Sequence, residues 1–228
     1  MFFPIGDTQV IGGHKPYVAY GLIFINVAVF LWSITLGVNG YQTFLTDFGS
    51  IPAEITQGVD MHTLFTSMFL HGGWMHLIGN MIFLWVFADN IEAIVGSTLF
   101  FVLYIAGGLV GSAAHIFTDI NSIVPSVGAS GAISAVLGAY LVMFPKSKIK
   151  VFILFFITYM PAVIFLLLWF GQQMFSGVGS LGAVSAESAG IAWWAHIGGF
   201  VFGALVGLVF KRKVNEHNYT RSAQGPFV

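Results

Sequence analysis

Cysteine is absent from all 228 residues, which excludes disulfides and cysteine catalysis. Charge is almost as scarce: 7% of the residues are Asp, Glu, Lys or Arg, against about 25% in soluble domains. The first fifteen residues lack the basic start and short apolar core of a signal peptide. Basic clusters occur only beside hydrophobic runs, so no nucleic-acid partner is expected. What is abundant is apolar: 57% of the chain is hydrophobic and its mean hydropathy is +0.88. That is the composition of an integral membrane protein, whose first partner is the lipid bilayer.

A hydrocarbon core about 30 Å thick needs roughly 20 apolar residues of helix. Six stretches are expected to span it: Tyr17–Leu36, Trp74–Ala88, Thr98–Phe117, Gly128–Phe144, Val151–Phe170 and Ile191–Phe210. The second is expected to begin nearer Leu64, with a polar interruption at His71-Gly72-Gly73. The fold expected is all-α, a single six-span membrane domain over residues 1–228 with tails at about 1–15 and 211–228. Lys15, Lys146, Lys148, Lys150, Lys211, Arg212, Lys213 and Arg221 all fall on one side, which the positive-inside bias makes cytoplasmic. Asp47, Glu54, Asp60, Asp119 and Glu187 fall on the other. The first outer loop, Gly37–Asp60, is apolar enough to lie partly in the interface, and the last, Gly171–Gly190, is rich in Gly and Ser. The fifth span lacks glycine and holds Pro161 near its middle, so it is expected to pack loosely, face lipid and serve as a lateral gate.

At about 1.5 Å of rise per residue, Ser130 lies about 24 Å from the cytoplasmic end of its helix, His196 about 22 Å, His76 about 20 Å and Asn80 about 14 Å. The first three share one layer below the outer surface. The fourth span is short, and the irregular segment before it, Thr118–Val127, holds Asp119, Asn121, Ser122, Pro125 and Ser126. Irregular backbone at depth needs burial in protein or access to water, which points to a pocket open to the outside. Ser130 stands there in the first turn of a helix, where free N–H groups favour an anion.

A serine hydroxyl needs a base within hydrogen-bond reach, and the oxyanion it generates needs donors. His196 is the base at the right depth; the Ser130 N–H, the Asn80 amide and the His76 ring are the donors, with His76 and Asn80 on one face at i, i+4. No carboxylate is placed to orient His196, so a Ser-His dyad is expected. Small residues at four-residue spacing (Ala195, Gly199, Gly203 and Gly207) face Gly131 and Gly138 and let two helices approach closely. No HExxH motif occurs and no carboxylate shares the histidine layer, so no metal is expected.

In these residues the chain resembles the rhomboid intramembrane serine proteases. The likeness rests on Phe65-Thr66, His71 with His76-x-x-x-Asn80, Glu92 closing the second span, Gly128-Ala129-Ser130-Gly131, and Ala195-His196-x-x-Gly199-x-x-x-Gly203. It implies Ser130 as nucleophile, His196 as base, and His76, Asn80 and the Ser130 amide as oxyanion hole. It also implies cleavage of transmembrane protein substrates near their outer ends, without metal or cofactor. The chain departs from the family at two places. His62-Thr63 stands where many members have Trp-Arg, and Ser134 stands where many have an aromatic beside the histidine. A compact six-span form suits a bacterial-type inner or plasma membrane with both termini cytoplasmic.

Each feature alone has a plainer reading: Gly-x-Ser-Gly as a helix contact, His196 as an interhelical donor, His76 and Asn80 as polar glue. Two rival classes stay open, a non-proteolytic rhomboid-like binder of transmembrane helices and a small transporter. A transport path would need polar groups through the inner half, where spans four to six are almost wholly apolar.

Overall fold

The structure, a computed structural model, describes residues 2–8, 15–153, 155–181 and 192–223, with side chains within 3–214. Its elements in chain order are β1 (Phe2–Gly6), α1 (Tyr17–Ile34), α2 (Gly37–Phe48), α3 (Pro52–Thr56) and α4 (Thr63–Thr66). A single 3₁₀ turn, Ser67–Phe69, precedes α5 (Trp74–Val95), α6 (Ser97–Thr118) and α7 (Ser130–Met143). Then come β2 (Lys148–Ile153), β3 (Phe156–Pro161), α8 (Ala162–Ser180) and α9 (Trp193–Ala223). By length and composition α1, α5, α6, α8 and the Trp193–Val214 part of α9 are each able to cross a membrane; α7 is apolar but shorter. The protein is a mostly helical, multi-pass membrane protein.

Helix α7 is the axis of the bundle. Every residue from Gly131 to Tyr140 is buried, so a helix apolar on all sides has protein on all sides. It is clasped by α9 through glycine: a Cβ on Gly199 would run into the Gly131 carbonyl, and one on Gly203 into the Ala135 carbonyl. On α7 itself, a Cβ on Gly138 would strike Phe200 O and sit 2.8 Å from Ala204 N. With no side chains between them the two backbones touch directly. Outward-facing aromatic and aliphatic side chains such as Phe24, Trp32, Leu168, Phe175 and Leu205 are exposed, as lipid-facing residues are.

The end of the bundle that carries β1 and the α5–α6 turn is tied by polar groups. Glu92, fully buried on α5, accepts from Val18 N (3.1 Å), Ala19 N (2.9 Å) and the Ser97 hydroxyl (2.5 Å), and so caps the start of α1 with negative charge. Asn90 donates to Asp7 at 2.6 Å, and the Tyr140 hydroxyl donates to the same carboxylate, fastening β1 to α5 and α7. Asn26, Ser33 and Thr35, the polar groups of the first span, each donate back to the preceding helical turn.

Several expected boundaries move. Residues expected to open the fifth span instead form an antiparallel hairpin, β2–β3, with β1 pairing on the other edge of β2. The cause is alternation: Ile149 and Val151 are buried while Lys148 is exposed, a period of two that a strand satisfies and a helix does not. The spanning helix is therefore Ala162–Ser180, with Pro161 at its start rather than its middle. Part of the expected last outer loop, from Gly171, is helix; its remainder, with Glu187, lies outside the described residues, as do the side chains of His14, His217 and Arg221. The second span begins at Trp74, not Leu64, because Leu70 and Gly73 leave helical geometry, and it runs on to Val95. Beyond the sixth span, the tail expected from residue 211 continues α9 as helix to Ala223.

Candidate active site

Ser130 is the first residue of α7, half-buried, and what precedes it sets its place. The irregular segment is stitched to the first outer loop by backbone bonds. Ser50 and Ser126 exchange both N–H···O bonds, Ala53 N donates to Ser122 O at 3.0 Å, and Gly128 N donates to Ser67 O at 2.9 Å. Protein groups therefore satisfy this irregular backbone at these points. Gly128 has φ +127°, a conformation L side chains rarely adopt, and a Cβ there would sit 2.7 Å from His76 Nε2 and 3.6 Å from Asn80 Nδ2. The His76–Asn80 face of α5 thus abuts the backbone two residues before Ser130.

On that face the groups are ordered by their neighbours. Gly72 N donates to His76 Nδ1 at 3.4 Å, which leaves the ring proton of a neutral His76 on Nε2, the atom facing Gly128. Asn80 Nδ2 donates to His71 Nε2 at 2.9 Å and retains its second N–H. His71 is buried beside His76 with ring centroids 5.1 Å apart, and its carbonyl accepts from the Tyr41 hydroxyl at 2.5 Å. This bond pins α2 of the outer loop to the start of α5.

His196 reaches the site from α9. A Cβ on Gly111 of α6 would lie 2.7 Å from Ala195 O and 3.2 Å from Gly131 Cα, so the neighbours of His196 and Ser130 meet across one glycine. No hydrogen bond joins His196 to Ser130 Oγ among the described residues; catalytic bonds often tighten only when substrate binds. The imidazole is instead engaged on its other side, where Nδ1 lies 2.7 Å from Gln173 Oε1 of α8. Trp169 lies tilted over the ring and Trp193 meets it edge-on, both at 6.1 Å, so tryptophans of α8 and α9 cover the histidine. At Ser134 the side chain donates to Ser130 O at 2.6 Å and is buried.

The four residues singled out in the sequence converge on one region; Gln173 was not among them. It fell in the expected last outer loop, because the fifth span was taken to end at Phe170. With α8 beginning at Ala162, Gln173 lies about 17 Å along the helix, a depth that would have drawn attention to it. The fifth helix keeps a broad lipid-facing side, with Ile164, Leu167, Leu168 and Phe175 exposed, and meets α9 along one line, where Phe170 stacks on Phe200 at 4.4 Å and a Cβ on Gly177 would lie 2.8 Å from Ile197 Cδ1. Trp193 packs edge-on against the His196 ring, and His115 of α6 is half-buried. Where Trp-Arg is replaced, Thr63 is buried and bonded to Asp60 O at 2.8 Å, while Thr66 Oγ1 donates to Phe48 O at 2.8 Å.

Residues 59–213 match the rhomboid domain. The chain belongs to the rhomboid family. It is 28% identical over 221 residues to Rhomboid protein 1, mitochondrial, of Saccharomyces cerevisiae, covering 91% of this chain and 57% of that one. It is 31% identical over 205 residues to the rhomboid protease GluP of Bacillus subtilis, covering 89% and 37%. To the Presenilin-associated rhomboid-like protein A, mitochondrial, of Danio rerio it is 30% identical over 192 residues, covering 80% and 45%. The chain thus spans 37% to 57% of these relatives' lengths. The rhomboid match takes in every element from α4 to the Trp193–Val214 part of α9 except that helix's last residue, and so all the residues of the site.

Proposed function

We propose that this rhomboid is an intramembrane serine endopeptidase that cleaves transmembrane proteins near the non-cytoplasmic face. The observation that carries the reading is the place of Gly128, whose backbone abuts His76 and Asn80 just before Ser130, at the level where α9 brings in His196. Ser130 Oγ attacks the scissile carbonyl and its proton passes to His196 Nε2. The oxyanion forms against the Ser130 N–H, the free N–H of Asn80 and His76 Nε2–H, donors already aimed before reaction. His196 then protonates the leaving amine, and water, activated by the same imidazole, hydrolyses the acyl-enzyme. The positive-inside bias of the basic residues supports a cytoplasmic side for the tails and the β1–β2–β3 sheet, with the first outer loop and Ser130 toward the opposite face. No cofactor or metal enters this chemistry.

Purified protein in liposomes with a single-span substrate tests it. Wild type is expected to cleave, and Ser130→Ala and His196→Ala to be inactive while folded. A serine-directed phosphonate should label wild type at Ser130 and neither variant. Failure of wild type to cleave any of a panel of transmembrane segments, together with failure to label Ser130, would favour a binder of helices over a protease.

A further inference from the structure

The base of a serine hydrolase has to hold its second ring nitrogen so that the first is free to accept a proton, a task commonly given to a carboxylate. Among the described residues no carboxylate is bonded to His196. Its Nδ1 faces Gln173 Oε1 at 2.7 Å instead, and Gln173 is 4% exposed on the inner face of α8. Which atom of the amide faces the ring follows from its other end. Gln173 Nε2 donates to the Trp169 carbonyl at 3.3 Å, one turn back along α8. Turning the amide over would set two oxygens against each other there and lose that bond. Oε1 therefore faces the imidazole, and because an amide oxygen only accepts, Nδ1 carries the hydrogen. The neutral ring is left with an unprotonated Nε2, the tautomer a general base requires.

We infer that Gln173 is a positioning residue that fixes the tautomer and orientation of His196, making the site a Ser-His-Gln relay with a neutral third member. This rests on the proposed dyad and extends it to α8. Trp169 and Trp193 hold the ring from its face and its edge, so the amide adds the one directional contact they do not provide. A neutral partner also differs from a carboxylate in kind. It orders the ring without adding a second buried charge beside the imidazolium, and it gives less help to that cation.

The test uses the full chain in liposomes with Gln173→Leu, Gln173→Glu and, as control, Gln172→Leu at the exposed neighbour. Gln173→Leu keeps the bulk and removes the acceptor; kcat should fall about tenfold with KM unchanged, the loss of roughly one net hydrogen bond. Gln172→Leu should cleave as wild type. Gln173→Glu sets a carboxylate against Nδ1, which favours the imidazolium, so the acidic limb of the pH–rate profile should move to higher pH. The titratable groups that face His196 from other elements, His76 on α5 and His115 on α6, are the same in all three variants. Wild-type kcat in Gln173→Leu, or an unmoved acidic limb in Gln173→Glu, overturns the inference. Should Gln173→Leu fail to fold, the limb of Gln173→Glu decides alone.

Histidine ¹⁵N spectra separate this inference from the dyad reading, since they need no turnover. With the His196 signal assigned by comparison with His196→Ala, wild type should show Nδ1 protonated and Nε2 bare, and Gln173→Leu a mixture. The opposite wild-type tautomer would refute the role of Gln173 even if Ser130 is labelled by phosphonate. A correct tautomer with no labelling would instead refute the protease.

Discussion

Three glycines allow the architecture of the site to be tested with one methyl group. Gly128→Ala introduces two penalties at once: φ +127° is strained for alanine, and the new Cβ would lie 2.7 Å from His76 Nε2 and 2.8 Å from His76 Cε1. Carbon contacts settle near 3.5 Å, so the ring or the loop must yield by roughly 0.8 Å. The ring is held by Gly72 N and lies against His71, and the loop by Ser67 O, so either response disturbs the His76 ring or Ser130. Misplacement by about 1 Å costs on the order of a hundredfold in rate, and the strain adds about 1–3 kcal/mol of lost stability. Gly96→Ala separates the two, because φ is +84° and nothing lies within 4 Å; stability should fall by a similar ~1–3 kcal/mol with kcat unchanged. Gly72→Ala carries neither penalty, its Cβ meeting His76 Nδ1 at 3.9 Å, and should behave as wild type. The assay is kcat for a single-span substrate in liposomes, with thermal unfolding in detergent for stability. Equal kcat for folded Gly128→Ala and Gly96→Ala would refute the claim that the Gly128 backbone and the His76 ring share one site.

Further outcomes follow from single side chains. Asn80→Ala removes an oxyanion donor and should lower kcat by roughly 10²–10³, or about 2.7–4 kcal/mol, with little change in KM; an unaltered kcat would remove Asn80 from the oxyanion hole. Glu92→Ala strips the cap from α1 and should destabilise the fold by about 3 kcal/mol in a thermal melt, while the folded fraction keeps its kcat. Tyr41→Phe loses the bond to His71 O and should cost about 1 kcal/mol. Burial holds the Tyr41 phenol above its ordinary range, so that contribution is fully present below about pH 10 and lost as pH rises through the raised value. The wild-type advantage over Tyr41→Phe should therefore stay level from neutral pH to about 10 and disappear above it.

Where hydropathy suffices, the sequence is read correctly: α1, α6 and α7 lie within a few residues of their expected spans. Hydropathy fails where it has no power to choose. The run from Val151 to Phe170 is apolar throughout, and an apolar run fits a buried strand as well as a helix. The deciding signals were local. Lysines alternate with apolar residues at 148–151, β-branched and aromatic residues follow, and Pro161 opens the helix behind them. A helix expected from Val151 starts eleven residues before the observed one at Ala162, which leaves Gln173 and Gly177 in the expected loop rather than on α8. The tryptophans over His196 were hidden for another reason. A missing aromatic at Ser134 is visible in the sequence, but its replacement from other helices depends on packing.

The same reasoning explains why Gly-x-Ser-Gly says little by itself. A small-residue turn at a helix start fixes only local conformation. What fixes the depth of Ser130 is the outer loop, through the Ser50–Ser126 pair, the Ala53–Ser122 bond and the bond from Gly128 to Ser67 O. What fixes its partners is the glycine contact of α7 with α9 and the direct approach of Gly128 to α5. Each of these joins segments distant in sequence through the backbone of at least one partner, and the helix contacts need residues too small to signal anything on their own. The information lies in their joint placement. Agreement among five separated segments is therefore stronger evidence for this site than any one of them, and a substitution that moves the outer loop should reach Ser130 without touching it.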